Sequence, residues 1–183
     1  MKKYTKYIAV IIAFVAVLAA AVFGYKYLSG RYSPEENTGA AQQNSADTAA
    51  DFTVFTAAGE EVSFSDYKGK PLVVNLWATW CGPCKSELPA FNELYAEYKN
   101  SVEFMMVNLT DGYSDTVQSV RKFVEEKQYS FPVFYDTKLS AAKAYTVNSV
   151  PLTIFIDKNG VIVNEHLGAM EKDTLQKYIE SLL

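Results

Sequence analysis

The 183-residue chain is 49% hydrophobic and carries 17 Lys+Arg against 21 Asp+Glu, a formal net charge of −4 at neutral pH. Its last 133 residues hold 12 Lys+Arg and 18 Asp+Glu with no basic stripe, which argues against nucleic acid as a partner. Two cysteines and a single histidine, His166, argue against zinc, which takes about four ligands.

The N-terminus carries Lys2, Lys3 and Lys6, and an uncharged apolar stretch then runs from Ile8 to Gly24, ahead of Lys26 and Arg31. Such a stretch is at the short end of what spans a bilayer, and Tyr4, Tyr7, Tyr25 and Tyr27 suit its two interfaces. Residues 1–7 therefore read as a cytoplasmic segment and 8–28 as a transmembrane signal-anchor. The lysine excess places the N-terminus inside and the rest of the chain across the membrane. A cleaved signal peptide is the competing reading, with Ile8 to Leu18 as its apolar core and Ala19-Ala20-Ala21 as a small-residue cleavage site. Apolar sequence continues through Val22 and Phe23, which favours a retained anchor; either way the remainder is extracytoplasmic, in the cleaved case secreted. Residues 29–50 are rich in Gly, Ala, Ser, Asn, Gln and Thr and read as a flexible linker, because they offer little apolar surface to offset ordering entropy. Residues 51–183 suffice for one ordinary domain.

Within that domain, Phe52 to Phe55 and Val62 to Phe64 flank Ala58-Gly59 as a short hairpin. Leu72 to Leu76 is apolar almost throughout, as in a strand covered on both faces. The helix that follows Cys84 contains Pro89, which removes a backbone hydrogen bond and should bend it. Glu103 to Leu109 reads as a strand and Val117 to Lys127 as an amphipathic helix with Val117, Val120, Phe123 and Val124 inward. Phe131 to Tyr135 reads as a third central strand and Leu139 to Tyr145 as a short helix. Leu152 to Ile156 and Val161 to Glu165 flank Asp157-Lys158-Asn159-Gly160 as a hairpin, and Glu171 to Leu183 closes the chain as a helix. Strands alternating with helices and ending in a hairpin give an α/β sandwich.

The pentapeptide Trp80-Cys81-Gly82-Pro83-Cys84 holds both cysteines, at a strand-to-helix junction. That context reads as a redox pair; a structural disulfide and half of a zinc site are the plainer alternatives. Free N–H groups and the peptide dipoles at a helix start stabilise a thiolate at Cys81 and lower its pKa. Cys81, being the more N-terminal, should be the more exposed sulfur and the nucleophile. Cys84, one turn further on, should resolve the mixed disulfide.

The residues Asn75-Leu76-Trp77-Ala78-Thr79-Trp80-Cys81-Gly82-Pro83-Cys84-Lys85-Ser86-Glu87-Leu88-Pro89, with Val150-Pro151-Leu152-Thr153, resemble the thioredoxin superfamily. Within it, the chain resembles the membrane-anchored, extracytoplasmic thiol–disulfide oxidoreductases of the TlpA/ResA type. The resemblance covers nearly all of residues 51–183 and includes the anchor. It implies a central mixed sheet flanked by helices, with an N-terminal hairpin and an extra helix and strand inserted between Asp111 and Asp136. It implies a cis bond before Pro151, which would bring Pro151 against the cysteine pair and expose the Val150 backbone to a substrate strand. The plainer reading of Pro151 is a trans proline at a strand's first position.

Thioredoxins usually carry a buried aspartate six residues before the first cysteine, and Asn75 stands there in this chain. Glu87 resembles the glutamate of ResA-type proteins and is the candidate proton shuttle for Cys84; otherwise it is a solvated glutamate in the first turns of a helix. Trp80, Gly82 and Pro83 complete the expected substrate-binding surface, whereas Trp77 reads as core and His166 as structural or exposed. Lys85 either adds positive potential near the thiolate or is merely solvated. No metal and no cofactor beyond the Cys81–Cys84 disulfide is expected.

The resulting expectation is a protein-disulfide reductase fed by a transmembrane, CcdA/DsbD-like thiol donor. Its substrates would be exported protein disulfides, among them apocytochrome c cysteine pairs or methionine sulfoxide reductase. A disulfide-forming oxidase or isomerase is the alternative on the same site, and Gly82-Pro83 tilts the reading toward reductase. A thiol peroxidase and a copper-delivery or other metal-binding module are remoter. The first calls for a Thr-x-x-Cys-like setting and Thr79 lies only two residues before Cys81; the second calls for wider cysteine spacing.

Overall fold

The computed structural model describes residues 48–183 together with Leu18 and Phe23, both in helical backbone. The expected cytoplasmic segment, the anchor at 8–28 and most of the linker at 29–50 fall on residues that are otherwise outside this set. Among the described residues, no helix is long and apolar enough to cross a membrane. Thr48 bridges Val161 and Ala49 N–H donates to Gly160 O at 2.9 Å, so the chain joins the domain ahead of Asp51.

Seven strands form one sheet. In chain order the elements are β1 (Thr53–Phe55), β2 (Glu61–Ser63), a 3-10 turn (Phe64–Tyr67), β3 (Leu72–Trp77), α1 (Gly82–Tyr98), β4 (Glu103–Asn108) and α2 (Val117–Glu126). Then follow β5 (Val133–Tyr135), α3 (Ser140–Ala144), β6 (Leu152–Ile156), β7 (Ile162–Leu167) and α4 (Lys172–Glu180). The strand order is β2-β1-β5-β4-β3-β6-β7, with β3, β4 and β5 parallel and the other neighbours antiparallel. The expected mixed α/β sheet with an N-terminal hairpin and a helix–strand insertion is what forms, the insertion being α2 and β5.

All six residues of β3 are buried, and their alternation feeds two cores. Val73 and Trp77 pack with Leu88, Phe91 and Leu94 of α1, Val120 of α2, and Leu175 and Ile179 of α4. Leu72, Val74 and Leu76 face the other way, with Phe52, Val54, Phe64, Ile154 and Ala141. Asn75 shares the parity of Val73 and Trp77, so the one polar residue of β3 is delivered to the α1 side.

The element ends differ from the sequence reading for local reasons. The first helix starts at Gly82, ahead of Cys84, because Cys81 takes the extended N-cap conformation and proline is tolerated in a first turn; the helix then runs through Pro89. β5 begins only at Val133, since Pro132 has no N–H and joins the ladder solely as an acceptor, from Met106 N–H at 3.3 Å. A register irregularity between Phe155 and Ile156 shifts β7 to Ile162–Leu167. The last helix stops at Glu180, though Leu182 still reaches the core.

The short helix α3 depends on Asp136. Leu139 at its N-cap has φ 52°, a left-handed conformation costly for a branched side chain, and offers no side-chain cap. Asp136 instead accepts from Ser140 N–H at 2.7 Å and Ala142 N–H at 2.9 Å, and Ser140 Oγ accepts from Thr53 N–H at 3.1 Å on β1. Asp136→Ala therefore leaves two helix-start donors unmatched. It is expected to lower the unfolding free energy by about 1–2 kcal/mol, read as a fall in urea midpoint at unchanged slope; an unchanged midpoint would refute this account of α3.

Candidate active site

β3 ends at Trp77, and the turn Ala78–Cys81 leads into α1, closed by Cys81 N–H donating to Ala78 O at 3.3 Å. Cys81 caps the helix: its sulfur accepts from Cys84 N–H at 3.0 Å. The two cysteines are joined, with S–S 2.08 Å and Cα atoms 5.3 Å apart. Cys81 keeps 5% of its surface and Cys84 none, so an attacking group from solvent can reach only Cys81.

Antiparallel pairing puts Leu152, the first residue of β6, opposite Leu76 near the end of β3. The segment before β6 thus arrives beside the turn after β3. Val150–Pro151 is a cis bond, and Cys81 Sγ lies 3.5 Å from Val150 O. In the disulfide this is a contact; on reduction the Cys81 thiol has a carbonyl acceptor within reach. A cavity of about 280 Å³ adjoins it, lined by Trp80, Leu109, Val147, Asn148, Ser149 and Val150. Trp80 is 57% exposed at its edge, whereas Trp77 is fully buried against Phe123, as the sequence reading has it.

Glu87 is buried. Asn75 Nδ2 donates to Glu87 Oε1 at 2.9 Å and Met170 N–H donates to Oε2 at 3.0 Å. Asn75 Nδ2 also donates to Thr153 Oγ1 at 2.9 Å, across the β3–β6 pair. Burial pushes the Glu87 carboxyl up to about 7, against the opposing pull of the Met170 N–H and the Asn75 amide. A solvated first-turns glutamate is therefore not what forms. One helical turn after Cys84 sits a buried carboxyl whose proton exchanges near neutral pH.

The structure also brings in residues the sequence reading did not single out for the site. Asp115, fully buried, accepts from Thr79 N–H at 2.8 Å, from Thr79 Oγ1 at short range, and from Asn108 Nδ2 at 2.8 Å. Asn108, a polar residue closing an apolar strand, was the one sequence signal available for this cluster. Lys85 is exposed, and His166 lies half-buried on β7 with its ring 6.3 Å from that of Tyr178. Among the described residues, no group of three potential metal ligands gathers.

A cystine capping a helix beside a cis-proline, on a mixed sheet flanked by helices, defines a thiol–disulfide oxidoreductase of the thioredoxin fold. The chain belongs to the AhpC/TSA family, whose model matches residues 46–165. Thiol-disulfide oxidoreductase ResA of Geobacillus kaustophilus (strain HTA426) is 39% identical over 136 residues, covering 74% of this chain and 76% of that protein. Thiol-disulfide oxidoreductase ResA of Bacillus cereus (strain ATCC 10987) is 33% identical over 183 residues, 100% of this chain and 99% of that protein. The crystal structure of StoA from Bacillus subtilis superposes with a TM-score of 0.62 at 30% identity, covering 71% of this chain and 96% of that one.

Proposed function

We propose that this protein is a membrane-tethered disulfide reductase that works outside the cytoplasm. The observation that carries this is the end-to-end similarity to the Bacillus cereus ResA, since its aligned length takes in the basic-then-apolar N-terminus as well as the catalytic domain. In the reduced protein the Cys81 thiolate attacks a substrate cystine, forming a mixed disulfide and releasing one substrate thiolate. Glu87 takes the Cys84 proton, and the Cys84 thiolate then attacks Cys81 Sγ. The Cys81–Cys84 disulfide closes and the second substrate thiolate leaves, so two electrons have passed to the substrate. Trp80, Gly82, Pro83, Val150 and Pro151 form the surface on which an extended substrate segment docks, with the Val150 backbone available for strand-like pairing. A CcdA/DsbD-like transmembrane thiol donor then restores the dithiol. Apocytochrome c cysteine pairs and methionine sulfoxide reductase are the proposed substrate types.

Thr79 bears on the peroxidase alternative. Its hydroxyl proton is committed to Asp115, so it has no donor left to offer a peroxide at Cys81. The test of electron direction is the reduction potential of the Cys81–Cys84 pair, equilibrated against defined thiol buffers. A value near or below about −270 mV, the thioredoxin level, is expected; a value above about −180 mV would make the protein an oxidase or isomerase.

A further inference from the structure

Thr79 is the second residue of the turn that Cys81 N–H closes onto Ala78 O, so whatever holds Thr79 holds the approach to the nucleophile. Both polar handles of Thr79, its backbone N–H and its hydroxyl, end on the carboxylate of Asp115. That carboxylate comes from the loop before α2, inside the helix–strand insertion, and it is wholly buried. Its third donor, Asn108 Nδ2, sits at the end of β4, and Asn108 Oδ1 in turn accepts from Thr110 Oγ1 at 2.9 Å. Three donors converging on one carboxylate suit a group that only accepts, and such bonds strengthen away from water.

The loop that presents Asp115 is itself braced. Asp111 Oδ1 accepts from the N–H groups of Tyr113, Ser114 and Asp115 at 2.8, 2.7 and 3.1 Å. Gly112, at φ 77°, donates its N–H to Asp115 O at 2.9 Å, a conformation that favours glycine. Asp115 is thus a fixed point rather than a loose surface acid, and it is tied to the residue two before the attacking sulfur.

We infer that Asp115 is a positioning residue for Cys81. Acting through Thr79, it holds the Ala78–Cys81 turn against the start of α1. By this route the insertion between β4 and β5 helps to set the balance between closed disulfide and open dithiol. Two effects of losing it act in one direction. A freed turn gains more entropy as dithiol than as disulfide, because the closed ring already restrains it. Removing a negative charge from this neighbourhood favours the Cys81 thiolate. Both stabilise the reduced form and raise the potential. The inference needs only disulfide exchange at the pair and holds whichever way electrons flow in the cell.

The experiment is redox equilibration of the full chain against a thiol buffer for Asp115→Asn, Thr79→Val and Ser119→Ala. Ser119 helps to cap α2 in the same insertion without touching Asp115, so its variant controls for general loosening of that helix. Asp115→Asn should shift the equilibrium constant toward the dithiol at least tenfold, which for this two-electron couple is about 30 mV. Thr79→Val, which keeps the charge and loses the hydroxyl donor, should shift it the same way by at least about threefold; Ser119→Ala should leave it unchanged. An Asp115→Asn shift below twofold, with equal loss of stability in both redox forms, would overturn the inference. So would a Thr79→Val protein with the wild-type constant, and that variant decides the matter alone if Asp115→Asn does not fold.

Discussion

Replacing Cys84 by serine is expected to turn a passing intermediate into the end product. Cys81, the only sulfur of the pair with any exposed surface, still attacks a substrate cystine in that variant. The mixed disulfide then has no internal thiol to displace it, so covalent adducts accumulate and turnover falls to background. Cys81→Ser is expected to lose turnover just as fully but to form no adduct, because Cys84 is sealed beneath the first turn of α1. Non-reducing electrophoresis, with release of the adducts by a small dithiol, distinguishes the two. Adducts on Cys81→Ser and none on Cys84→Ser would exchange the roles.

Glu87→Gln carries the second large effect, and it shows in how stability depends on pH. The Glu87 carboxyl titrates at about 7 in the folded protein against a reference value of 4.5. Between those limits the folded state holds more protons than the unfolded state, so this group makes stability fall as pH rises from about 4.5 to about 7. At roughly 1.4 kcal/mol per unit the whole loss is about 3 kcal/mol. The glutamine variant should lose that slope and, above pH about 7, unfold at higher denaturant concentration than the parent. Turning the Asn75 side chain over lets its unpartnered Oδ1 accept from Gln Nε2, at the cost of the bond its Nδ2 gives Thr153 Oγ1, so the gain above pH about 7 is smaller than the slope removed. Urea midpoints at about pH 5 and pH 8 provide the measurement. A variant retaining the full slope would move the ionisation elsewhere.

The parts of the site that could be read from the sequence are those that lie close together along the chain. Cys81 to Cys84 is a local motif, and its strand-to-helix setting follows from the apolar run before it and the helical spacing after it. Glu87 could be placed one turn past Cys84, but not the depth of its burial. That depth depends on Met170, 83 positions later, and on Thr153 opposite Asn75, which are brought in by sheet pairing and by the segment before α4. Asp115 was invisible for the same reason. Its sequence neighbourhood, Asp111-Gly112-Tyr113-Ser114-Asp115, looks like a solvated turn, and only the parallel alignment of β3 with β4 carries it to Thr79. The strand boundaries slipped where a single backbone group decided them, at Pro132 for β5 and at the Phe155–Ile156 irregularity for β7. Element types followed periodicity, which neither of those details disturbs.

The sheet is unequal along its width. β3 runs beside β4 over its whole length and beside β6 from Leu72 to Leu76, whereas β1 meets β5 only where Phe55 stands opposite Tyr135. Because β5 and β4 lie between β1 and β3, the N-terminal hairpin shares no backbone ladder with the strand that leads into the Cys81 turn and meets it only through side chains such as Val54. The exposed tip at Ala58-Gly59 and the edge strand β2 can therefore fray or accept insertions while the ladder of the redox half stays shut, whereas Val54 of β1 stays bound into the shared core. Tolerance to change is built into one flank of the molecule and withheld from the other.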